Sequence, residues 1–131
     1  MSRRELREHI FKMLFRTEFH EENELSEQFE MFFEEPEAVS DKDKKYIQDK
    51  YEAVVSHMTE IDELINESAK GWKTSRMAKV DLTLIRLAVY EIKFEEDIPT
   101  GVAINEAVEL AKNYGSDDSA SFVNGILAKL V

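Results

Sequence analysis

The sequence predicts an all-α fold, a single compact domain over residues 1–131 built from about seven helices. Three observations predict it. Four glycines and two prolines in 131 residues leave little to interrupt helices. Apolar residues recur at three- and four-residue spacing almost throughout, the period of a helix with one buried face. No internal repeat, low-complexity tract or long linker divides the chain, and its length suits one domain that removes roughly two-thirds of its unfolded surface from water.

The elements follow in order. Leu6, Ile10, Met13, Leu14 and Thr17 make the inner stripe of a first helix ending near His20. "ENELSEQFEMFF" aligns Leu25, Phe29 and Phe32 on a second, which Pro36 closes. Ser40 with Asp43 is a capping-box-like start for a third helix to about His57, with Tyr46, Ile47, Tyr51, Val54 and Val55 inward. Thr59 with Asp62 starts a fourth, with Ile61, Leu64 and Ile65 inward and Gly71 as its stop. "GWKTSRMAKVDLTLIRLAVYEIKF" is the most apolar stretch. Its Met77, Val80, Leu82, Leu84, Ile85, Leu87, Ala88 and Ile92 wrap much of the circumference, which predicts a central helix, ended by Asp97-Ile98-Pro99. A sixth carries Ile104, Ala107, Val108, Leu110, Ala111 and Tyr114, with Gly115 as C-cap; small residues at Ala103, Ala107 and Ala111 admit a close neighbour. The seventh starts at Ser116, Asp117 or Asp118 and buries Phe122 or Val123 with Ile126, Leu127 and Leu130. Asn124-Gly125 is poor helix chemistry, so close packing or a partner's backbone is expected there.

The chain has no cysteine, which excludes disulfides and thiolate metal sites. "MSRRELREHIFKMLFR" starts basic like a signal peptide, but Glu8, Lys12 and Arg16 interrupt any apolar core and no long uncharged run follows. A cytoplasmic protein with no membrane association is expected. The net charge of −11 alone argues against nucleic-acid binding, yet it is unevenly spread. Residues 1–16 hold five basic and two acidic side chains (+3), residues 17–67 four and seventeen (−13), and residues 68–131 eight and nine (−1). A basic end on an acidic body can form a local anion-binding face; ordinary helix-surface charge is the alternative.

Catalytic signatures are missing. The glycines stand singly at Gly71, Gly101, Gly115 and Gly125, so no phosphate-binding loop is present. "HEENE" at 20–24 lacks the second histidine of a zinc-protease motif, and His9, His20 and His57 are scattered. Asp117-Asp118 reads as a helix start favoured by the dipole rather than an acid–base pair. Ser119 and Ser121 have no candidate base in their own segment. No enzyme, metal or cofactor is expected.

The first helix is more informative. At about 100° per residue, Arg4, Arg7, Phe11 and Phe15 share a face away from the Leu6/Ile10/Met13/Thr17 stripe. On one reading the phenylalanines pack on a neighbouring helix and the arginines snorkel over them. On the other, the face binds single-stranded nucleic acid, with arginines on phosphates and aromatic planes stacked on unpaired bases. Spacing leaves both open.

The second half carries a resemblance. "DLTLIRLAVYEI" at 81–92, "PTGVAINEAVELAKNYG" at 99–115 and "SASFVNGIL" at 119–127 together resemble the NusB family of bacterial transcription antitermination factors. The combination of Arg86-Leu87-Ala88, Tyr90-Glu91, Ile104-Asn105-Glu106-Ala107 and Phe122-Val123-Asn124-Gly125 is specific; "LREHIFKMLF" matches the family's Arg-rich first helix more loosely. The resemblance implies seven helices in two packed subdomains. It also implies pairing with ribosomal protein S10 (NusE), binding of boxA RNA in nascent transcripts, and assembly with other Nus factors on RNA polymerase. Transcription, notably of ribosomal RNA operons, then continues past terminators, with no reaction and no cofactor.

Residue by residue, the resemblance assigns Arg3, Arg4 and Arg7 to the RNA-binding arginine-rich motif. Lys12 stands where the family commonly has an uncharged polar residue, Phe15 where it usually has tyrosine, and Ile10 where it has alanine. Asp118 and Phe122 fall in its RNA-contacting region, and Asp81, Arg86 and Glu91 in the central helix that would meet S10. Arg86 and Glu91 read equally well as intramolecular polar contacts. Two other functions compete. One is a protein-binding module whose acidic middle recruits a basic partner that makes the RNA contacts itself. The other is an accessory domain related to the helical part of certain ribosomal RNA methyltransferases, although no methyltransferase domain follows.

Overall fold

The structure, a computed structural model, describes residues 1–18 and 39–131. The predicted second helix, with Leu25, Phe29, Phe32 and the "HEENE" run, lies outside the described residues. Within them all regular structure is helical: α1 (Arg3–Thr17), α2 (Asp41–Ser56), α3 (Met58–Ser68), α4 (Lys79–Phe94), α5 (Thr100–Tyr114) and α6 (Ser119–Ala128), with a 3-10 turn at Thr74–Arg76. The chain forms two compact units, Met1–Val55 and Ser56–Val131.

In the first unit α1 is started by a full capping box. The Glu5 backbone N–H donates to the Ser2 hydroxyl and the Ser2 N–H donates to Glu5 Oε1, both at 3.1 Å. Ile10, Met13 and Leu14 are buried as the stripe requires. At the start of α2 the predicted cap forms, the Asp43 N–H donating to Ser40 Oγ at 3.2 Å. The Met1 ammonium donates to Asp43 Oδ2 at 3.1 Å and holds that carboxyl below its ordinary range. Ile47, Lys50, Tyr51 and Val54 form the buried face of α2. Tyr46, expected inward, is 43% exposed instead and lies along the Lys50 stem, whose Nζ is 5.7 Å from its ring centre. The Lys50 stem, itself buried, takes a core position that hydrophobicity alone does not predict.

In the second unit α4 is central. Its Leu82, Leu84, Ile85, Leu87, Ala88 and Val89 are buried, and α3, α5 and α6 all pack on it. Ala103, Ala107 and Ala111 are buried on α5, which packs on both α4 and α6. Side-chain bulk is smallest where α5 is enclosed, so its neighbours come close. α3 starts at Met58 without a side-chain cap, so the expected Thr59–Asp62 box does not form; Asp62 faces α4 instead. The fifth predicted helix loses its first third: Gly71, at φ 88, makes a turn that favours glycine, and the α-helix begins only at Lys79. Pro99 leads into α5 with its φ fixed at −59.

Gly115 ends α5 with extended backbone, φ −95, so left-handed geometry is not what requires glycine there. Space requires it: a Cβ would collide with Cβ and Oγ of Ser119 and lie 2.9 Å from the Ala111 carbonyl oxygen. Ser119 is buried and its Oγ accepts the Ser116 N–H at 2.9 Å. That bond organises the start of α6, where Asp118 is the N-cap residue but makes no side-chain cap bond. The expected aspartate cap is thus replaced by a serine reaching backward.

Candidate nucleic-acid interface

On α1 the predicted RNA residues separate by exposure. Arg3 and Arg4 stand exposed in the first turn, whereas Arg7 is 6% and Phe11 2% exposed. Phe15 is half-buried and stacked on Phe11, ring centres 5.9 Å apart. Packing therefore accounts for Phe11, and the aromatic surface of this helix is what Phe15 leaves open. Lys12 lies 4.0 Å from Glu8 across one helical turn. Glu5 directly follows the two exposed arginines. The Ser2 backbone N–H bond holds its carboxyl below the ordinary range, so it stays anionic and moderates their field.

In the second unit Phe122 is half-buried, as Val123 takes the core position. Its ring meets Trp72 edge-on at 5.1 Å and 73°, and Trp72 is 50% exposed. Asp118 is exposed one turn before Phe122. Asn124 and Gly125 are exposed as well, and a Cβ on Gly125 would meet nothing within 4 Å. The close intramolecular packing expected at that pair is absent among the described residues.

The three residues assigned to a protein partner lie on α4. Asp81 is 8% exposed and its Oδ1 finds no hydrogen-bond partner among the described residues. Glu91 is 1% exposed. Arg86 donates from Nε and Nη2 to Oδ1 and Oδ2 of Asp62, both at 2.8 Å, so its fork joins α4 to α3. Among the described residues no group of three or more histidine, aspartate or glutamate side chains is arranged to hold a metal, and no helix is long and apolar enough to cross a membrane.

A match to the NusB family covers residues 4–131. The chain belongs to the NusB family. It is 60% identical over 129 residues to the transcription antitermination protein NusB of Agathobacter rectalis, covering 98% of both chains. It superimposes on T. maritima NusB with TM-score 0.89 at 37% identity, covering 99% of this chain and 90% of that one. It also superimposes on a structure of the antitermination factors NusB and NusE in complex with double-stranded RNA, with TM-score 0.86 at 27% identity and coverage of 98% and 94%.

One part of this NusB-family chain carries no recognisable motif in its sequence. Trp72 lies at the start of the stretch that apolar content assigns to the central helix, and it is the only tryptophan. Around it Lys70, Lys73, Arg76 and Lys79 follow one another with no acidic residue between Glu67 and Asp81. Charge summed over residues 68–131 hid that local run; a shorter window would have found it.

Proposed function

We propose that this chain is a transcription antitermination factor that pairs with ribosomal protein S10 (NusE) and binds boxA RNA of nascent transcripts. It acts in the cytoplasm on RNA polymerase with other Nus factors, as a recruiting protein with no reaction of its own. The observation that carries this reading is similarity along the whole chain to NusB proteins, including one solved with NusE and RNA. Residues 1–131 serve as one NusB-like domain. Arg3, Arg4, Arg7, Lys12 and Phe15 are its RNA residues on α1, and Asp118 and Phe122 those on α6.

The exposed pair Arg3 and Arg4 suits phosphate contact, and the open part of Phe15 and Phe122 suits stacking. For S10, the unpartnered Oδ1 of Asp81 offers an acceptor at the start of α4, while Arg86 contributes by fixing that helix against α3. Titration of the S10 complex with a boxA-like RNA at two salt concentrations tests the reading. Arg3→Ala with Arg4→Ala is expected to weaken binding and to reduce the slope of log affinity against log salt by about 0.7 for each lost single-strand phosphate contact. Unchanged affinity and slope would favour the alternative, in which S10 makes the main RNA contacts.

A further inference from the structure

We propose that the connector between α3 and α4, residues 69–78, is a further RNA-contacting element, in which Trp72 stacks on an unpaired base beside Phe122 while Lys73 and Arg76 hold the flanking phosphates. The inference rests on the RNA reading above and extends it to residues outside the arginine-rich helix and α6. Four observations converge on it.

First, Trp72 leaves half of a large ring in water although Phe122 lies against it at 5.1 Å. The pair forms an edge-to-face corner whose open planes can take a base, a contact worth roughly five- to a hundredfold in affinity. Second, the connector is held in place. The Thr74 N–H donates to Asn66 Oδ1 at 2.9 Å and the Asn66 amide donates to Thr74 Oγ1 at 3.4 Å. Ala69 at one end and Met77 at the other are buried, and the Trp72 N–H donates to the Ala69 carbonyl at 2.8 Å across the Gly71 turn. A ring fixed before binding loses little freedom on stacking.

Third, Lys70, Lys73 and Arg76 are exposed and hold no ion pair among the described residues. Three cations thus stand within seven residues of a chain whose net charge is −11. Their field complements a phosphate backbone. Fourth, Gly125 follows Phe122 by one turn on the same stripe of α6, with open space where a side chain would stand. Among the described residues nothing fills the space beside this helical glycine, which leaves room for a sugar or base. Asp118, exposed at the other side of Phe122, repels phosphate but can accept a hydrogen bond from a base amino group.

Because Trp72 is the only tryptophan, its emission reports on this corner. The full chain in complex with S10 is titrated with a boxA-like single-stranded RNA, with the Trp72→Leu variant as optical blank and anisotropy of labelled RNA as the binding readout. Quenching of Trp72 emission at the binding midpoint is expected. Trp72→Leu should weaken binding about five- to a hundredfold and Trp72→Phe much less. Lys73→Gln with Arg76→Gln, both exposed and outside the core, should leave the thermal midpoint unchanged and lower the salt slope by about 1.4. Wild-type affinity in these variants with unmoved emission overturns the inference and leaves the RNA reading standing. So does emission that responds to S10 alone and not to RNA, which would make the connector a protein surface. If wild type binds no RNA, both fall.

Discussion

The guanidinium of Arg86 closes a two-point fork on Asp62, and the side chains are 12% and 26% exposed. That places the pair between a surface ion pair, which contributes little, and a buried one, whose breakage is costly. Asp62→Ala is expected to destabilise the fold by about 1–3 kcal/mol in urea unfolding, Arg86→Ala similarly, and the double variant by less than their sum. Tyr51 supplies a pH test. It is 4% exposed, and burial pushes its phenol up to about 12, with the nearby Thr17 hydroxyl opposing part of the shift. The unfolded phenol ionises near 10, so the fold keeps its full stability below that pH and loses it as pH rises towards 12. Alkaline unfolding of Tyr51→Phe should show a shallower decline over this window. At this scale the sequence was only half legible. Arg86 and Glu91 were readable as polar residues of the central helix, but periodicity assigns a face and names no partner 24 residues away. Arg7 and Phe11 likewise share a face with Arg4, yet burial separates them.

Two glycines distinguish what an element needs from what it tolerates. Gly115→Ala is expected to cost about 1–3 kcal/mol, because a Cβ meets the buried Ser119 that organises the next helix. Gly125→Ala is expected to stabilise by up to about 1 kcal/mol, since the position is helical and open. Paired thermal midpoints check both signs. Helices announced themselves well: stripes at Ile10/Met13/Leu14, Ile61/Ile65 and Ile126/Leu127 repeat within one or two turns and need no knowledge of the rest of the chain. Starts and connectors did not. Thr59 and Asp62 have capping-box spacing, but Asp62 finds Arg86 instead. "GWKTSRM" extends an apolar run, yet a turn at Gly71 and the Asn66 clip keep it out of α4. Local pattern proposes a cap, and a stronger distant donor can take the side chain away.

For the whole molecule, charge sets how partners are met. The −13 over residues 17–67 is opposite in sign to a basic ribosomal protein, and opposite charges raise encounter rates. The association rate with S10 should fall as salt rises. Glu60→Gln, Glu63→Gln and Glu67→Gln, all exposed on α3, should lower it further while leaving dissociation nearly unchanged; stopped-flow mixing at low and high salt checks this. The sequence by itself determined the helical class, the segregation of charge and the family, because hydrophobic period, net charge and motif spacing are properties of the chain read in order. Only the tertiary structure decided which side chains of a shared face remain in water, which ions are already paired, and that Trp72 stands beside Phe122. Those depend on neighbours distant in sequence, and exposure and pairing exist only once the chain has packed.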